Sequence, residues 1–324
     1  MVVEAKRSRK VSQKTETRVC LVCRNESVVI RKGVRGNPDR PIFRCPACLL
    51  QFIDPPSVPL REYYRSQYRD AHEATEGRQT PEERFITMRP YMSEIAARFK
   101  KDVPMGGSLL EIGCSSGYLL DALGPGYDRY GCEWNPEDAA YVRDVGEIPC
   151  EEGDLSDIYP GKLFNSIVAI QVLEHQPDPI RFLKACKERL VAGGYLYLEL
   201  PHVWDAMVTV YQNEEYRNFW YREPHITYWT RETLAAVLGG LRFEASVRQT
   251  QRYGLANHLN WHMNGKPMDD IDQARGFLAP IDPSHPQAGV INRGMERLDR
   301  EYRVMMTTYM CADTIYAIAR RRDI

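Results

Sequence analysis

The sequence lacks two things that would narrow its class at once: a long apolar run and an excess of one charge. No stretch of its 324 residues approaches the roughly 18–20 apolar residues that a membrane span needs. The charged opening MVVEAKRSRK leads into no apolar segment, so no secretory signal is expected and a cytoplasmic location is. Lysine and arginine number 43 against 44 aspartate and glutamate, a net charge of −1. There is no internal repeat, which sets aside fibrous architectures. Nine cysteines are an odd number, and without an export signal they favour metal thiolates over a disulfide framework. What is present is ordinary for a globular chain: 43% hydrophobic and 27% charged residues, with mean hydropathy −0.48. The length suits two domains, or one large domain with an appendage.

The near-neutral total hides an asymmetry. Residues 1–48 carry twelve Lys/Arg and four Asp/Glu, a local excess of eight positive charges. A basic N-terminal portion suits contact with nucleic acid or a phosphorylated small molecule. Residues 1–18 are polar and aperiodic, and are expected to form a disordered basic tail. Residues 19–55 hold Cys20-Leu-Val-Cys23 and Cys45-Pro-Ala-Cys48, with 21 residues between the pairs. Each C-x-x-C closes a tight knuckle, and two knuckles complete a tetrahedral four-sulfur site at about 2.3 Å per bond. Short β-like runs (SVVIRK, IFRC, LLQF) and turn residues Gly33, Gly36 and Pro38 surround them. This is the layout of a zinc ribbon. It predicts one structural Zn²⁺ on Cys20, Cys23, Cys45 and Cys48, with no coordination position left for catalysis. The segment is too small to build its own core, so the metal is expected to supply its folding energy.

Asp54-Pro55-Pro56 and Pro59 mark a boundary, and residues 56–104 read as a helical linker or cap. Tyr63, Tyr64 and Tyr68 open it, and Phe85, Met88, Met92, Ile95 and Phe99 fall at helical spacing further on. From 105 to 324 strand and helix alternate. Strands are expected over SLLEIG (108–113), RYGCEW (129–134), FNSIVAIQ (164–171) and GYLYLEL (194–200). The helices between them are GYLLDAL, PEDAAYVRDV and DPIRFLKACKERLVA, the last stopping at Gly193-Gly194. A short helix RETLAAVLGG, a strand RFEASVRQT, an irregular stretch 251–290, a helix near 293–309 and a strand TIYAIAR (314–320) follow. The alternation predicts an α/β, Rossmann-like, doubly wound parallel sheet.

Glu111-Ile-Gly113-Cys114-Ser115-Ser-Gly117 sits where the first of these strands turns into a helix. It fits the dinucleotide fingerprint poorly, because Ser115 stands at the second glycine and the last glycine falls one position early. An acidic residue closing the strand opposes a phosphate and suits a cation, such as an amino group or a sulfonium. The stretch resembles the first motif of class I S-adenosylmethionine (SAM)-dependent methyltransferases, (D/E)-x-G-x-G-x-G, and the resemblance runs through residues 108–250. It implies that Glu133 chelates the ribose hydroxyls with Trp134 against the adenine face. It likewise implies that Asp154 and the Leu155 backbone receive the adenine edge, and that Gln171 opens the fourth motif, Gln171-Val-Leu-Glu174-His175.

Beyond these motifs, Glu223-Pro224-His225-Ile-Thr-Tyr228 resembles a segment of the C-methyltransferases that act on nucleotide-activated deoxysugars. The resemblance implies a small-molecule acceptor, a nucleotide-activated sugar or a related natural-product intermediate. It makes His225 the first candidate base, with His175 second and Tyr228 beside them. Pro224 replaces that family's glutamate. Ubiquinone-type O-methyltransferases are similar at Glu174-His175, where carboxylates and the histidine hold a divalent metal, but they carry glutamate where this chain has Gln171. Residues 202–230 hold eight aromatics, a helical and aromatic insertion that either walls the acceptor or packs as a helical subdomain core, with a second insertion at 251–313. In the second insertion Arg252 is equally a partner for a phosphate or a surface charge. The alternative reading is an RNA methyltransferase whose basic ribbon grips the phosphate backbone. Nothing in the sequence sets an oligomeric state.

Overall fold

A computed structural model describes residues 16–55, 60–64, 79–269, 274–275 and 284–322. Nearly all of the expected basic tail, and Tyr68, lie outside the described residues. At the N-terminus β1 (Thr17–Val19), β2 (Glu26–Val34), β3 (Asn37–Arg44) and β4 (Gln51–Phe52) form an antiparallel meander. Its two Cys-x-x-Cys turns are built alike. In each, the residue after the second cysteine takes a left-handed backbone, Arg24 at φ 64° and Leu49 at φ 65°. Each returns its amide to the first cysteine's carbonyl, at 3.3 Å for Cys20 and 2.9 Å for Cys45.

Helix α1 (Pro81–Asp102) starts on a reciprocal cap: Thr80 Oγ1 accepts from the Glu83 amide and Glu83 Oε2 accepts from the Thr80 amide. There follow β5 (Ser108–Ile112), α2 (Tyr118–Leu123), β6 (Asp128–Cys132), α3 (Pro136–Asp144), β7 (Cys150–Glu151), β8 (Phe164–Ile170), α4 (Pro179–Glu188) and β9 (Leu190–Pro201). The turn α5 (Ala206–Thr209), α6 (Glu214–Trp220), β10 (Thr227–Tyr228), α7 (Arg231–Gly240), β11 (Phe243–Thr250), α8 (Leu255–Asn264), α9 (Ala288–Thr308) and β12 (Thr314–Arg321) complete the chain.

The main sheet has seven strands in the order β11-β12-β9-β8-β5-β6-β7. It is mixed rather than parallel, because β12 runs antiparallel to both β11 and β9. Strand alternation splits the core into two layers. One face (Leu110, Ile112, Ile167, Leu196, Leu198, Ala317) meets α4 and α7, and the other (Leu109, Val168, Ile170, Tyr197, Ile318) meets α1, α2 and α3. Chain order reverses between β5 and β8, so the loops after these strands open a crevice at the sheet's carboxyl edge.

Three expectations change. Gly193-Gly194 does not stop a helix: α4 ends at Glu188 and the glycines lie inside β9. There Gly193 takes φ 71° at a bulge that shifts the pairing from Phe164–Leu190 to Ser166–Tyr195. A side chain at Gly194 would press on the Asn165 and Val191 carbonyls, each 3.0 Å from its Cβ position. The irregular stretch contains α8, whose start has no side-chain cap to announce it. The third change is that the cysteine segment does not stand alone. β10 pairs with β4 and extends the meander to five strands. Cys20, Phe43, Cys45, Leu50 and Phe52 share one buried cluster with Trp229, Leu234 and Leu238 of the larger domain. Thr233 of α7 donates its hydroxyl to the Cys48 carbonyl at 2.5 Å.

A shared core predicts shared unfolding. Phe52→Ala is expected to cost about 3–5 kcal/mol, the usual cost of removing a fully buried aromatic side chain. Calorimetry should then show one transition shifted down as a whole. An unchanged main transition with a separate early one would mean that the cysteine segment unfolds independently.

Candidate active site

The loop after β5 is shaped by three left-handed residues, Gly113 (φ 70°), Ser115 (φ 47°) and Gly117 (φ 78°). At Gly113 and Gly117 a Cβ would also stand 3.0 Å from Val172 and Val142 methyls. Ser115 thus adopts the conformation that glycine provides without strain. The Gly113 and Cys114 amides both donate to the Cys132 carbonyl, at 2.7 and 3.2 Å, which ties the loop to the end of β6. Ser116 Oγ donates to Asp138 (2.9 Å), which also receives Arg84 of α1 (2.6 Å). Neither member of that buried pair stood out in the sequence.

Glu133 directs one carboxylate oxygen to the Ser115 amide (2.8 Å) and the other to the Asn135 amide (2.9 Å), at the mouth of this loop. Trp134 donates its indole N–H to the Gly153 carbonyl (2.9 Å), which brings it beside Asp154 and the buried Leu155. Asp154 is exposed, and its main-chain carbonyl accepts from Asp157 and Ile158. Glu111 is buried, and its Oε2 meets no donor among the described residues. Burial, helped by Cys150 and Glu133, pushes its carboxyl well above the usual range. Cys114 is buried with its Sγ 3.7 Å from that of Cys150.

After β8, Gln171 also turns left-handed (φ 54°) and leads into a short 3₁₀ turn, Leu173–His175. Glu174 and His175 are both buried there, and His225 joins them from the segment before β10. One ligand-capable atom from each of the three lies within 4.8 Å of the others. Burial pushes the Glu174 carboxyl up to about 8, and neither of its oxygens has a hydrogen-bond donor among the described residues. His175 Nδ1 lies 2.6 Å from the Pro224 carbonyl and 2.6 Å from the Tyr64 hydroxyl. A carbonyl only accepts, so Nδ1 carries the proton and the Nε2 lone pair faces Glu174 Oε1 at 3.9 Å. Tyr64 also stacks near Trp134, 5.6 Å between ring centres, so the linker reaches the cofactor loops.

His225 is placed differently. Arg222 donates to its Nε2 from Nε (2.8 Å) and Nη2 (2.6 Å). A guanidinium cannot accept, so that nitrogen's lone pair is taken and the proton sits on Nδ1. The geometry therefore does not favour His225 as a base. Tyr228 is buried, and its hydroxyl serves the Arg222 backbone, accepting from the amide (3.0 Å) and donating to the carbonyl (3.3 Å). It supports Arg222 rather than facing an acceptor.

The aromatic insertion takes the packed-core alternative for much of its length. Tyr221 and Tyr228 pack with Val34, Ile42 and Ile53 of the ribbon, and Arg35 stacks on Phe219 at 3.8 Å. Tyr216 donates to the buried Asp205 (2.6 Å) and packs on Trp261. These rings chiefly join ribbon to sheet, because the ribbon presents apolar strands to them.

A family model described as a methyltransferase domain matches residues 82–245, half of the chain. The chain belongs to this methyltransferase-domain family. The methyltransferase is 32% identical over 119 residues to a ubiquinone biosynthesis O-methyltransferase of Cereibacter sphaeroides, a match covering 32% of this chain and 47% of that one. With the corresponding protein of Xanthomonas campestris the identity is 29% over 106 residues, covering 29% of this chain and 42% of that one. The chain spans about half the length of the curated relatives it matches. Among solved structures, a chain of the complex between the Haloferax volcanii Trm112 methyltransferase activator and its methyltransferase aligns with TM-score 0.50 at 16% identity. That alignment covers 81% of this chain and 98% of the other, and shows a common fold. The chain carries a methyltransferase domain with a Rossmann-like α/β fold. No helix of the described residues is long and apolar enough to cross a membrane.

The buried Glu174 sets a pH dependence. Its folded carboxyl, raised from an ordinary 4.5 to about 8, holds its proton more tightly than the unfolded chain does. Its contribution to stability is therefore complete below about pH 4.5 and is lost as pH rises through about 8. Glu174→Gln is expected to remove that loss. Urea midpoints of wild type and variant should diverge with rising pH, in favour of the variant, and parallel midpoints would reject a neutral buried carboxyl.

Proposed function

We propose that this methyltransferase transfers the methyl group of SAM to an O–H or C–H of a small-molecule acceptor of the sugar class, and that His175 removes the proton. The convergence of Glu174, His175 and His225 beside the glycine loop carries this reading. In it the Gly113–Gly117 backbone and Glu133 hold the ribose and methionine portions, and Trp134, Asp154 and Leu155 hold the adenine. The residues fit such a group, because Glu111 offers a buried carboxyl oxygen that meets no donor among the described residues and gains charge only beside a cation. Bound there, SAM supplies a methyl carbon that the acceptor displaces in line from the sulfonium.

His175 suits the role of base because the Pro224 carbonyl holds its Nδ1 proton, leaving Nε2 basic and oriented. Glu174, protonated near neutral pH, is a hydrogen-bond donor to an acceptor oxygen. Arg222 and His225 form a fixed polar wall. A polyhydroxylated acceptor fits these groups better than an apolar quinone does, since Glu174 and Gln171 Nε2 are buried without hydrogen-bond partners among the described residues. The RNA reading has less support. Arg18 and Arg40 bond to Asp54, Arg31 to Glu214 and Asn218, and Arg35 to Phe219, so these ribbon arginines already serve the protein.

We also propose that Cys20, Cys23, Cys45 and Cys48 hold one structural zinc. All four sulfurs lie within 4.8 Å of one another, with Cys20–Cys48 at 3.6 Å and Cys23–Cys45 at 3.3 Å. Val22 N–H and Asn25 Nδ2 point at the Cys20 and Cys23 sulfurs, as suits thiolate ligands. Metal analysis is expected to return about one zinc per chain, lost in Cys48→Ser with a lower melting temperature for the whole protein. Full stability without metal would reject the site.

Three variants test the active site together, against a panel of nucleotide sugars with release of S-adenosylhomocysteine as the signal. Glu133→Ala is expected to weaken SAM binding by about 1.5–3 kcal/mol, the worth of paired charge-assisted hydrogen bonds. His175→Ala should keep SAM affinity and lower the transfer rate by about 10²–10⁴-fold, while His225→Ala retains more activity. A His175→Ala enzyme within about threefold of wild type, or no turnover of any sugar, would sink the reading.

A further inference from the structure

We propose that a basic cleft at the amino edge of the main sheet binds a small anion carrying two or more phosphate groups. The cleft lies at the opposite end of the strands from the methyl-transfer site and stands independent of it. It opens where α4 and α7 end, where β9 and β11 begin and where the antiparallel β12 finishes. The length of β9, roughly 35 Å, separates this edge from the loops around Glu174 and His175. The cleft's volume is about 630 Å³, within the range of small-ligand sites. Lys184, Lys187, Arg242, Arg321 and Arg322 line it against one carboxylate, Glu188. In a chain whose net charge is −1, that excess is strongly local.

The five cations divide into two sets. Lys187 Nζ donates to the Leu241 carbonyl at 2.8 Å, and Arg321 Nη1 donates to the carbonyls of Lys187 (3.0 Å) and Leu190. These two offset the partial negative charge that the ends of α4 and α7 turn toward the cleft. Lys184, Arg242 and Arg322 are exposed, and no hydrogen bond or ion pair among the described residues engages their side chains. Cations of one sign in a recess with apolar walls, here Leu241 and Ala192, focus their field and concentrate anions. Arg242 has a left-handed backbone (φ 62°), with its amide donating to the Gly239 carbonyl at 2.9 Å. Glycine would take that conformation without strain, so an arginine side chain is carried there at a local cost. A guanidinium fork matches two oxygens of one phosphate, and Lys184 adds a point charge for a second. Among the described residues no aromatic ring lines the cleft, so nothing stacks on a base and recognition falls to the phosphates. A single recess without stacking rings suits a small polyphosphate better than a nucleic acid strand.

Calorimetric titration of the full chain with inorganic pyrophosphate, ADP and a short single-stranded RNA tests this. Wild type is expected to bind pyrophosphate and ADP alike, with affinity falling as salt rises. The double variant Arg242→Gln/Arg322→Gln should weaken pyrophosphate binding by about tenfold or more, the loss of two charge-assisted contacts. The control pair Arg293→Gln/Arg300→Gln removes two exposed charges from α9 and should change the affinity by less than about twofold. An unchanged melting temperature in the first pair checks that its fold is intact. If that pair does not fold, Lys184→Gln is read against the same control. No pyrophosphate binding in wild type, unchanged affinity in the first pair, or an equal loss in both pairs would overturn the site. RNA bound more tightly than pyrophosphate, and released by the same two substitutions, would overturn the small-anion assignment.

Discussion

Ile226 links the two halves of this molecule through its main chain. Its amide donates to the Glu174 carbonyl at 2.8 Å, and its carbonyl accepts from the Ile53 amide at 3.0 Å. On one side of it lie the ribbon strands, and on the other the buried turn that carries Glu174 and His175. The pairing of β10 with β4 fixes the segment's register, and a slip of one residue would reverse every side chain in it. Pro224 then meets His175, and Arg222 and His225 face one another. The cysteine segment is thus a structural neighbour of the active site rather than an appendage.

Buried ionisable groups give the site its chemical character. Glu111, Glu174 and Asp205 are all pushed upward by burial, and His202 and His258 downward, so neutral forms prevail in the interior. Charge is retained where a partner exists, as between Arg84 and Asp138 or Arg98 and Glu199.

Much of the fold was readable because it rests on local rules. The strands at 108–112 and 164–170 and the helix at 81–102 follow from apolar period, caps and turn residues. The bulge at Gly193 was not readable, since glycine after a helix signals a stop as readily as a kink within a strand. Helix α8 was missed because no capping side chain precedes it. The antiparallel direction of β12 is invisible in composition, as a strand reads the same either way.

The sequence by itself determined which residues meet the loops at the sheet's carboxyl edge: the Gly113–Gly117 turn, Glu133, Asp154 and the Gln171–His175 run. Each lies at the end of a strand, and strand order places strand ends together. Tertiary structure alone decided the rest. Whether a histidine offers a lone pair depends on what faces its other nitrogen, and Arg222 and Pro224 reached that role through chain folding. Whether an arginine is a surface charge or a cation packed on an aromatic face depends on neighbours as remote as Tyr91. Hydrogen-bond partnership and desolvation are properties of the packed chain, and no spacing rule in the sequence encodes them.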